Sequence, residues 1–222
     1  MNYFKFSISE NELLALPSGA LWWPDQSILC VSDLHFGKSN RLARKGQSWM
    51  PPYENQDTLL RLEKDLDATN TKKIICLGDS FDDNEASRSL PPDEVLWITK
   101  MQTRREWIWI SGNHDPSPKN LGGIFLESLE VEKLNFQHIA SSKKRFEISG
   151  HYHPKIRIKV KQQFFTKRCF LVDDKRVIMP AYGTYTGGLY CNRDPLRSIM
   201  NQNSIALMIG KEIYPIPISK AN

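Results

Sequence analysis

Apolar residues fall along the chain in short continuous runs separated by amphipathic stretches. Residues 27–32 (SILCVS), 72–77 (KKIICL) and 107–110 (WIWI) are too short for helices and rich in β-branched and aromatic side chains, so each predicts a buried strand. Between the first two, Leu59, Leu62 and Leu66 recur at helical spacing and predict a helix over 54–68. Between the second and third, Pro91-Pro92-Asp93 opens a helix over 94–103 with Val95, Ile98 and Met101 on its apolar stripe. Strand and helix alternate, as in a layered α/β fold whose site lies at the carboxyl edge of the strands.

Beyond Pro118 the pattern changes. Residues 130–138, 145–150, 155–161, 169–172, 176–179 and 204–209 read as short, often alternating strands separated by turns, with Asp173-Asp174-Lys175 as a hairpin turn. These predict a second sheet. The first 20 residues read as irregular, and strand order is not legible.

Length and composition narrow the picture modestly. With 222 residues, 40% of them hydrophobic, the chain can bury one sizeable core, and a single domain over 1–222 is expected. No run of about 18 apolar residues occurs and the amino terminus lacks a signal-peptide pattern, so a soluble cytoplasmic protein without membrane contact is expected. Cys30, Cys76, Cys169 and Cys191 are widely spaced and suggest neither a disulfide nor a zinc framework. The formal charge of +5 favours polyanionic partners only weakly.

Chemistry concentrates where the predicted strands end. The first runs into Asp33-Leu34-His35-Phe36-Gly37-Lys38, whose Asp-x-His spacing puts a carboxylate and an imidazole on one side of an extended chain, where both can bind one ion. The second ends in Gly78-Asp79 with Asp82 close behind, and the third delivers Gly112-Asn113-His114-Asp115. All five histidines, His35, His114, His138, His151 and His153, stand at or just past a predicted strand end. Singly, each is an ordinary turn or surface residue more often than a ligand. Together with Asp33, Asp79 and Asn113 they form a nitrogen and oxygen donor set of the size that two divalent ions sharing one carboxylate require.

This succession, Asp-x-His, Gly-Asp-x-x-Asp, Gly-Asn-His-Asp, a lone His and Gly-His-x-His, resembles the calcineurin-like metallophosphoesterases. Asp33 to Lys38, Gly150-His151-Tyr152-His153-Pro154 and the later Met179-Pro180-Ala181-Tyr182-Gly183-Thr184-Tyr185-Thr186-Gly187-Gly188 resemble more narrowly the ligase-associated DNA-damage-response phosphoesterases, the PdeM group.

The resemblance implies a four-layer α/β/β/α metallophosphoesterase sandwich with two facing mixed sheets. It implies one metal held by Asp33, His35 and His153, a second by Asn113, His138 and His151, and Asp79 bridging the two. His114 would be the catalytic residue, free of metal, as general acid or as a stabiliser of the leaving oxygen, with Asp82 and Asp115 orienting the ligand shell. The cofactors would be two divalent metal ions, manganese foremost, with iron or zinc as alternatives, activating a hydroxide for in-line attack on phosphorus.

The activity implied is a metal-dependent phosphodiesterase, a DNA endonuclease in ligase-associated repair with a ligase and a helicase as partners, met through the segment around Tyr182 to Tyr190. A small nucleotide-type diester as substrate, or a non-catalytic repair scaffold, stand as alternatives. Lys38, Arg41, Arg44 and Lys45 after the first motif, and Lys155, Arg157, Lys159 and Lys161 on one face of a strand after the last, are candidate contacts to nucleic acid, although such alternation also describes a merely solvated face. Trp22, Trp23 and Trp49 could stack on bases or simply pack.

Overall fold

The computed structural model describes residues 2–47, 50–115, 121–141 and 146–221. Arg145 and Trp49 lie outside them.

The first sheet has seven strands in sequential order. β1 (Phe4–Ile8), β2 (Asn11–Ala15), β3 (Leu21–Trp23) and β4 (Ile28–Val31) are antiparallel, and β5 (Lys73–Leu77), β6 (Glu106–Ile110) and β7 (Ile124–Leu126) continue from β4 in parallel. Helices join β4 to β5 and β5 to β6. After β4 come α1 (Lys38–Arg44) and α2 (Glu54–Thr69); after β5 come α3 (Asn84–Arg88) and α4 (Pro92–Gln102).

Local chemistry sets the helix ends. α2 begins with Glu54 and Asp57 in its first turn, and Asn70 ends it in the left-handed conformation. The Asp83 side chain caps α3 by accepting from Ala86 N at 2.7 Å, and Pro92 stands in the first turn of α4.

The second sheet comprises β8 (Ser128–Val131), β9 (Leu134–Gln137), β10 (Glu147–Ser149), β11 (Lys155–Val160), β12 (Gln163–Val172), β13 (Arg176–Ile178), β14 (Ile205–Ile209) and β15 (Ile213–Pro217). Its order is β15-β14-β12-β13-β10-β9-β8, with β11 paired to the free length of β12. β10 is parallel to both β9 and β13, and the remaining pairs are antiparallel.

The two sheets face each other across one core. Leu21, Trp23, Cys30, Leu77 and Ile110 come from the first, and Phe136, Ile148, Phe170, Val177 and Leu207 from the second. Trp23 and Phe136 stack across it with centroids 6.4 Å apart. Leu59, Leu62, Leu66, Ile98 and Met101 of α2 and α4 cover the outer face of the first sheet. The second sheet's outer face is thinly covered, by α5 (Leu196–Ile199), Cys191 and Met200.

The sequence-based expectations need several revisions. The opening residues form a hairpin, because Ser9 and Glu10 both take positive φ (49° and 70°) and close a tight two-residue turn. The single strand expected over 130–138 is likewise a hairpin, β8–β9, turned at Glu132 and Lys133 (φ 45° and 68°). β12 starts six residues earlier than the expected 169–172, and β15, with Pro215 and Pro217, sits at the sheet edge where missing N–H donors do least harm.

Candidate metal centre

The loops after β4 and β5 run side by side beyond the sheet. Asp33 N donates to Gly78 O (3.2 Å), His35 N to Asp79 O (3.0 Å) and Phe36 N to Ser80 O (2.9 Å), so the parallel ladder continues into the loops and brings Asp33 beside Asp79. In the second sheet, Gly150 N donates to His138 O (2.9 Å), tying the loop after β10 to the end of β9. His151 N then reaches across to Asp33 Oδ2 (2.9 Å). The carboxyl edges of both sheets therefore meet at one place.

Two donor clusters form there. Asp33, His35 and His153 bring three ligand atoms within 4.8 Å of one another, and so do Asp79, His138 and His151. Asn113 joins the second, its Oδ1 3.0 Å from His138 Nε2. All the sequence-predicted ligands are thus gathered at one site. His114 stands at its rim, 40% exposed, with Nε2 4.0 Å from Asp79 Oδ2.

The fit to cations rests on how these donors face each other. His35 Nε2 and His153 Nε2 are 3.3 Å apart, as are His151 Nδ1 and His138 Nε2. Lone pairs converging so closely, around carboxylates, are what a divalent ion would satisfy. Two of these rings, His35 and His138, are aimed by a partner on the other nitrogen. His35 Nδ1 is 2.8 Å from Asp82 Oδ1, and His138 Nδ1 donates to Leu77 O at 2.7 Å. Asp33 Oδ2 accepts from Ser32 Oγ (2.5 Å) and His151 N, leaving Oδ1 to face His153 Nε2 at 3.0 Å.

The backbone is strained at the same residues. Asp33, His35, Asp79, His151 and His153 all have positive φ, between 45° and 71°. A left-handed residue with a side chain costs on the order of 1–2 kcal/mol, and five among the donors mark a site built at the expense of local stability. Gly78 is needed for another reason: a Cβ there would lie 2.6 Å from the His138 ring, besides its φ of +71°.

Electrostatics follow the same geometry. Burial works to raise the Asp33 pKa, yet the hydrogen bond and charge of His153, with His138 and His35, hold it well below the usual range. Burial opposes the His138 imidazolium, but Asp79, Asp33 and Leu77 O push its pKa up to about 9. Burial lifts Asp115 to about 7, aided by the Asp79 charge and opposed by the Phe81 and Ser80 backbone amides. Asp115 Oδ2 accepts from Phe81 N at 3.0 Å, so this residue shapes the loop after β5.

Several expectations change. Lys38 and Arg41 are not free for phosphate: Lys38 Nζ lies 3.7 Å from Asp82, Arg41 Nε bonds the same carboxylate, and Arg44 pairs with Asp83. Trp23 is buried core and offers no stacking face, and Trp22 is partly buried against the helix-side core. Tyr182 is likewise fully buried and presents no surface to a partner.

The start of the segment around Tyr182 to Tyr190 braces the site. Tyr182 N and Gly183 N donate to Ser32 O (2.7 Å) and Asp33 O (3.0 Å), while Arg61 and Arg168 donate to Tyr182 O (2.7 Å) and Ala181 O (2.6 Å). Arg61 and Arg168 escaped sequence reasoning because their partners are carbonyls distant in the chain.

A two-sheet sandwich with clustered His and Asp donors at its shared carboxyl edge defines a metal-dependent hydrolase of phosphoester bonds. The chain belongs to the calcineurin-like phosphoesterase family, whose profile matches residues 26–210. Among solved structures it is similar to the Pseudomonas putida nuclease MPE, at 24% identity and TM-score 0.73, over 97% of this chain and 100% of that one. It also aligns with YfcE, a phosphoesterase from E. coli, at 12% identity and TM-score 0.44, over 86% of this chain and 98% of that one. No curated protein sequence matches the chain.

Proposed function

We propose that the protein is a phosphodiesterase that cleaves DNA with two divalent ions. The observation that carries the reading is the pair of donor clusters. Asp33, His35 and His153 would hold one ion, His138, His151 and Asn113 the other, and Asp79 would serve both. When bound, such ions activate water and neutralise charge on the phosphate.

The chain's own residues do the rest. Asp82 and Leu77 O fix His35 and His138 so that Nε2 of each faces the site. His114 Nδ1 donates to Asp82 O at 3.1 Å, which leaves Nε2 as the nitrogen presented at the rim. As an imidazolium, His114 gives its Nε2 proton to the leaving alkoxide and keeps the Nδ1 hydrogen bond, so the neutral ring remains in place. A recess of about 510 Å³ bounded by Ser111, Asn113, Glu127, Gln137 and Ile139 opens beside these residues and has room for the chain flanking a scissile diester.

The PdeM-like motifs and the fold shared with a nuclease favour DNA as substrate. With that reading go manganese as the working ion, with iron or zinc as alternatives, and ligase-associated repair as the setting, with a ligase and a helicase as partners. The test is manganese-dependent hydrolysis of a labelled single-stranded oligonucleotide beside bis(4-nitrophenyl) phosphate, for wild type and Asp79→Asn. Wild type should cut both, and Asp79→Asn should lose both activities together with its metal. Hydrolysis of the small ester alone would move the substrate to a small nucleotide-type diester.

A further inference from the structure

The β11–β12 hairpin begins two residues after His153 and spans 155–168; Lys155 at its base also bridges to Tyr190, and from 156 to 167 the two strands pair only with each other. Within those 14 residues are six lysines and arginines and no acid, so the hairpin alone exceeds the formal +5 of the whole chain.

Register sorts these charges. Lys155 pairs with Arg168, Arg157 with Thr166 and Lys159 with Phe164, and directly opposed residues share a face. One face therefore carries Lys155, Arg157, Lys159, Phe164, Thr166 and Arg168, while Lys161, expected on the same strand face, stands in the turn that closes the hairpin. The opposite face carries Ile156 and Ile158, which pack on the outer core of the second sheet, and beyond them the exposed Val160, Phe165 and a single cation, Lys167. The hairpin is thus anchored on one side and basic on the other.

Elsewhere Lys5, Lys38, Arg41, Arg44, Arg61, Lys73, Arg105 and Arg176 pair with carboxylates, and described cations without such a pair, Lys64, Lys100 and Lys133 among them, are scattered rather than set along one strand. Among the described residues no carboxylate pairs with Lys155, Arg157, Lys159, Lys161 or Lys167. Cations held without counter-charges on a strand, about 6.7 Å apart at every second residue, suit a partner that carries its own regularly spaced negative charge.

Phe164 lies among them, 51% exposed, with the Arg157 guanidinium 4.2 Å and Lys159 Nζ 5.7 Å from its ring centre. An exposed aromatic ring between cations is the composition that binds single strands, where phosphates meet the charges and a base stacks on the ring. At the inner end, Arg168 touches Ala181 O beside the segment that braces Asp33, so the basic face leads towards the metal loops.

We propose that this hairpin is a nucleic-acid arm: Lys155, Arg157, Lys159 and Lys161 track the backbone of a DNA strand extending from the metal centre, and Phe164 stacks one of its bases. The proposal rests on the DNA phosphodiesterase reading above.

The triple variant Arg157→Gln/Lys159→Gln/Lys161→Gln and the single variant Phe164→Ala separate the two. Each is compared with wild type, with manganese present, in hydrolysis of bis(4-nitrophenyl) phosphate and in equilibrium binding of a cleavage-resistant phosphorothioate oligonucleotide at several salt concentrations. Hydrolysis of the small ester should stay within about twofold of wild type. For the triple variant, Kd should rise tenfold or more, and the slope of log affinity against log salt should shrink by about 2, near 0.7 per cation removed. Phe164→Ala should weaken binding roughly fivefold or more without changing that slope. Unchanged affinity and slope in the triple variant, or no binding by wild type, would overturn the arm. An unmodified oligonucleotide that wild type binds through the hairpin but does not cut would instead sink the nuclease reading and leave the arm standing.

Discussion

Five donor residues share the left-handed backbone, and three of them, Asp33, His35 and Asp79, are held by partners outside the donor set: Ser32 Oγ, the Asp82 carboxylate and His114 N. Asp82 is the busiest: fully buried, it takes His35 Nδ1, Arg41 and Lys38 on its carboxylate and His114 Nδ1 on its carbonyl. Burial would raise its pKa, but His35, Arg41 and Lys38 hold it well below the usual range. Asp82→Asn removes that charge without removing a ligand. Metal affinity should fall roughly 10- to 100-fold, the usual effect of losing such a support, and excess manganese should restore most of the activity. His114→Ala should behave oppositely, retaining metal while kcat drops about 10²- to 10⁴-fold, with no rescue by metal. Metal analysis beside kcat and KM checks both, and an apo His114→Ala protein would contradict the assignment of His114 to proton transfer.

Among the elements, α2 links the helical layer to the site. Tyr182 OH donates to Asp65 Oδ2 (2.9 Å), Thr184 N to Thr58 Oγ1 (3.1 Å), and Arg61 reaches Tyr182 O. Burial raises the Asp65 pKa despite Ser18, Tyr182 and Arg61. A carboxyl raised on folding releases its proton first in the unfolded chain, so stability falls as pH climbs above the unfolded value. Asp65→Asn keeps an acceptor for Tyr182 and removes this slope. Its Tm should exceed that of wild type at pH 7.5, with the gain shrinking towards pH 4; an equal gain at both pH values would show that charge burial is not the cause.

What was legible at this scale followed from chemical signals close together in sequence. The leucine stripe of α2, the prolines before α4 and the Asp173-Asp174-Lys175 turn, where Asp173 Oδ1 accepts from both Lys175 N and Arg176 N at 2.8 Å, could be read directly. The donors were readable because each ends a strand. The Ser9-Glu10 and Glu132-Lys133 turns were not, because they hold positive φ without the glycine or asparagine that normally announces it. The clamp by Arg61 and Arg168 was hidden for a different reason: it joins residues more than ten positions apart through backbone carbonyls, which carry no sequence identity.

For the whole molecule, the division of donors between the sheets matters most. Asp33 and His35 follow β4 of the first sheet, whereas His153 follows β10 of the second; Asp79 follows β5, whereas His138 and His151 follow β9 and β10. Each ion would therefore cross-link the two sheets at an edge where the facing donors otherwise repel or compete for protons. Such an ion binds only when the sheets are docked, and its affinity adds to folding stability. At 100 times Kd one ion contributes about 2.7 kcal/mol, which for a chain of this size raises Tm by roughly 5–10 °C. Chelation followed by manganese titration in thermal unfolding should show this rise in wild type, and Asp79→Asn should lose a large part of it. Hydrogen exchange should locate the effect: without metal, protection should drop together at the carboxyl ends of β4, β5, β9 and β10 and persist along β1–β2 and β14–β15. A Tm indifferent to manganese in a protein whose activity needs it would mean that the Trp23–Phe136 core alone fixes the docking of the sheets and that the ions add chemistry without stability.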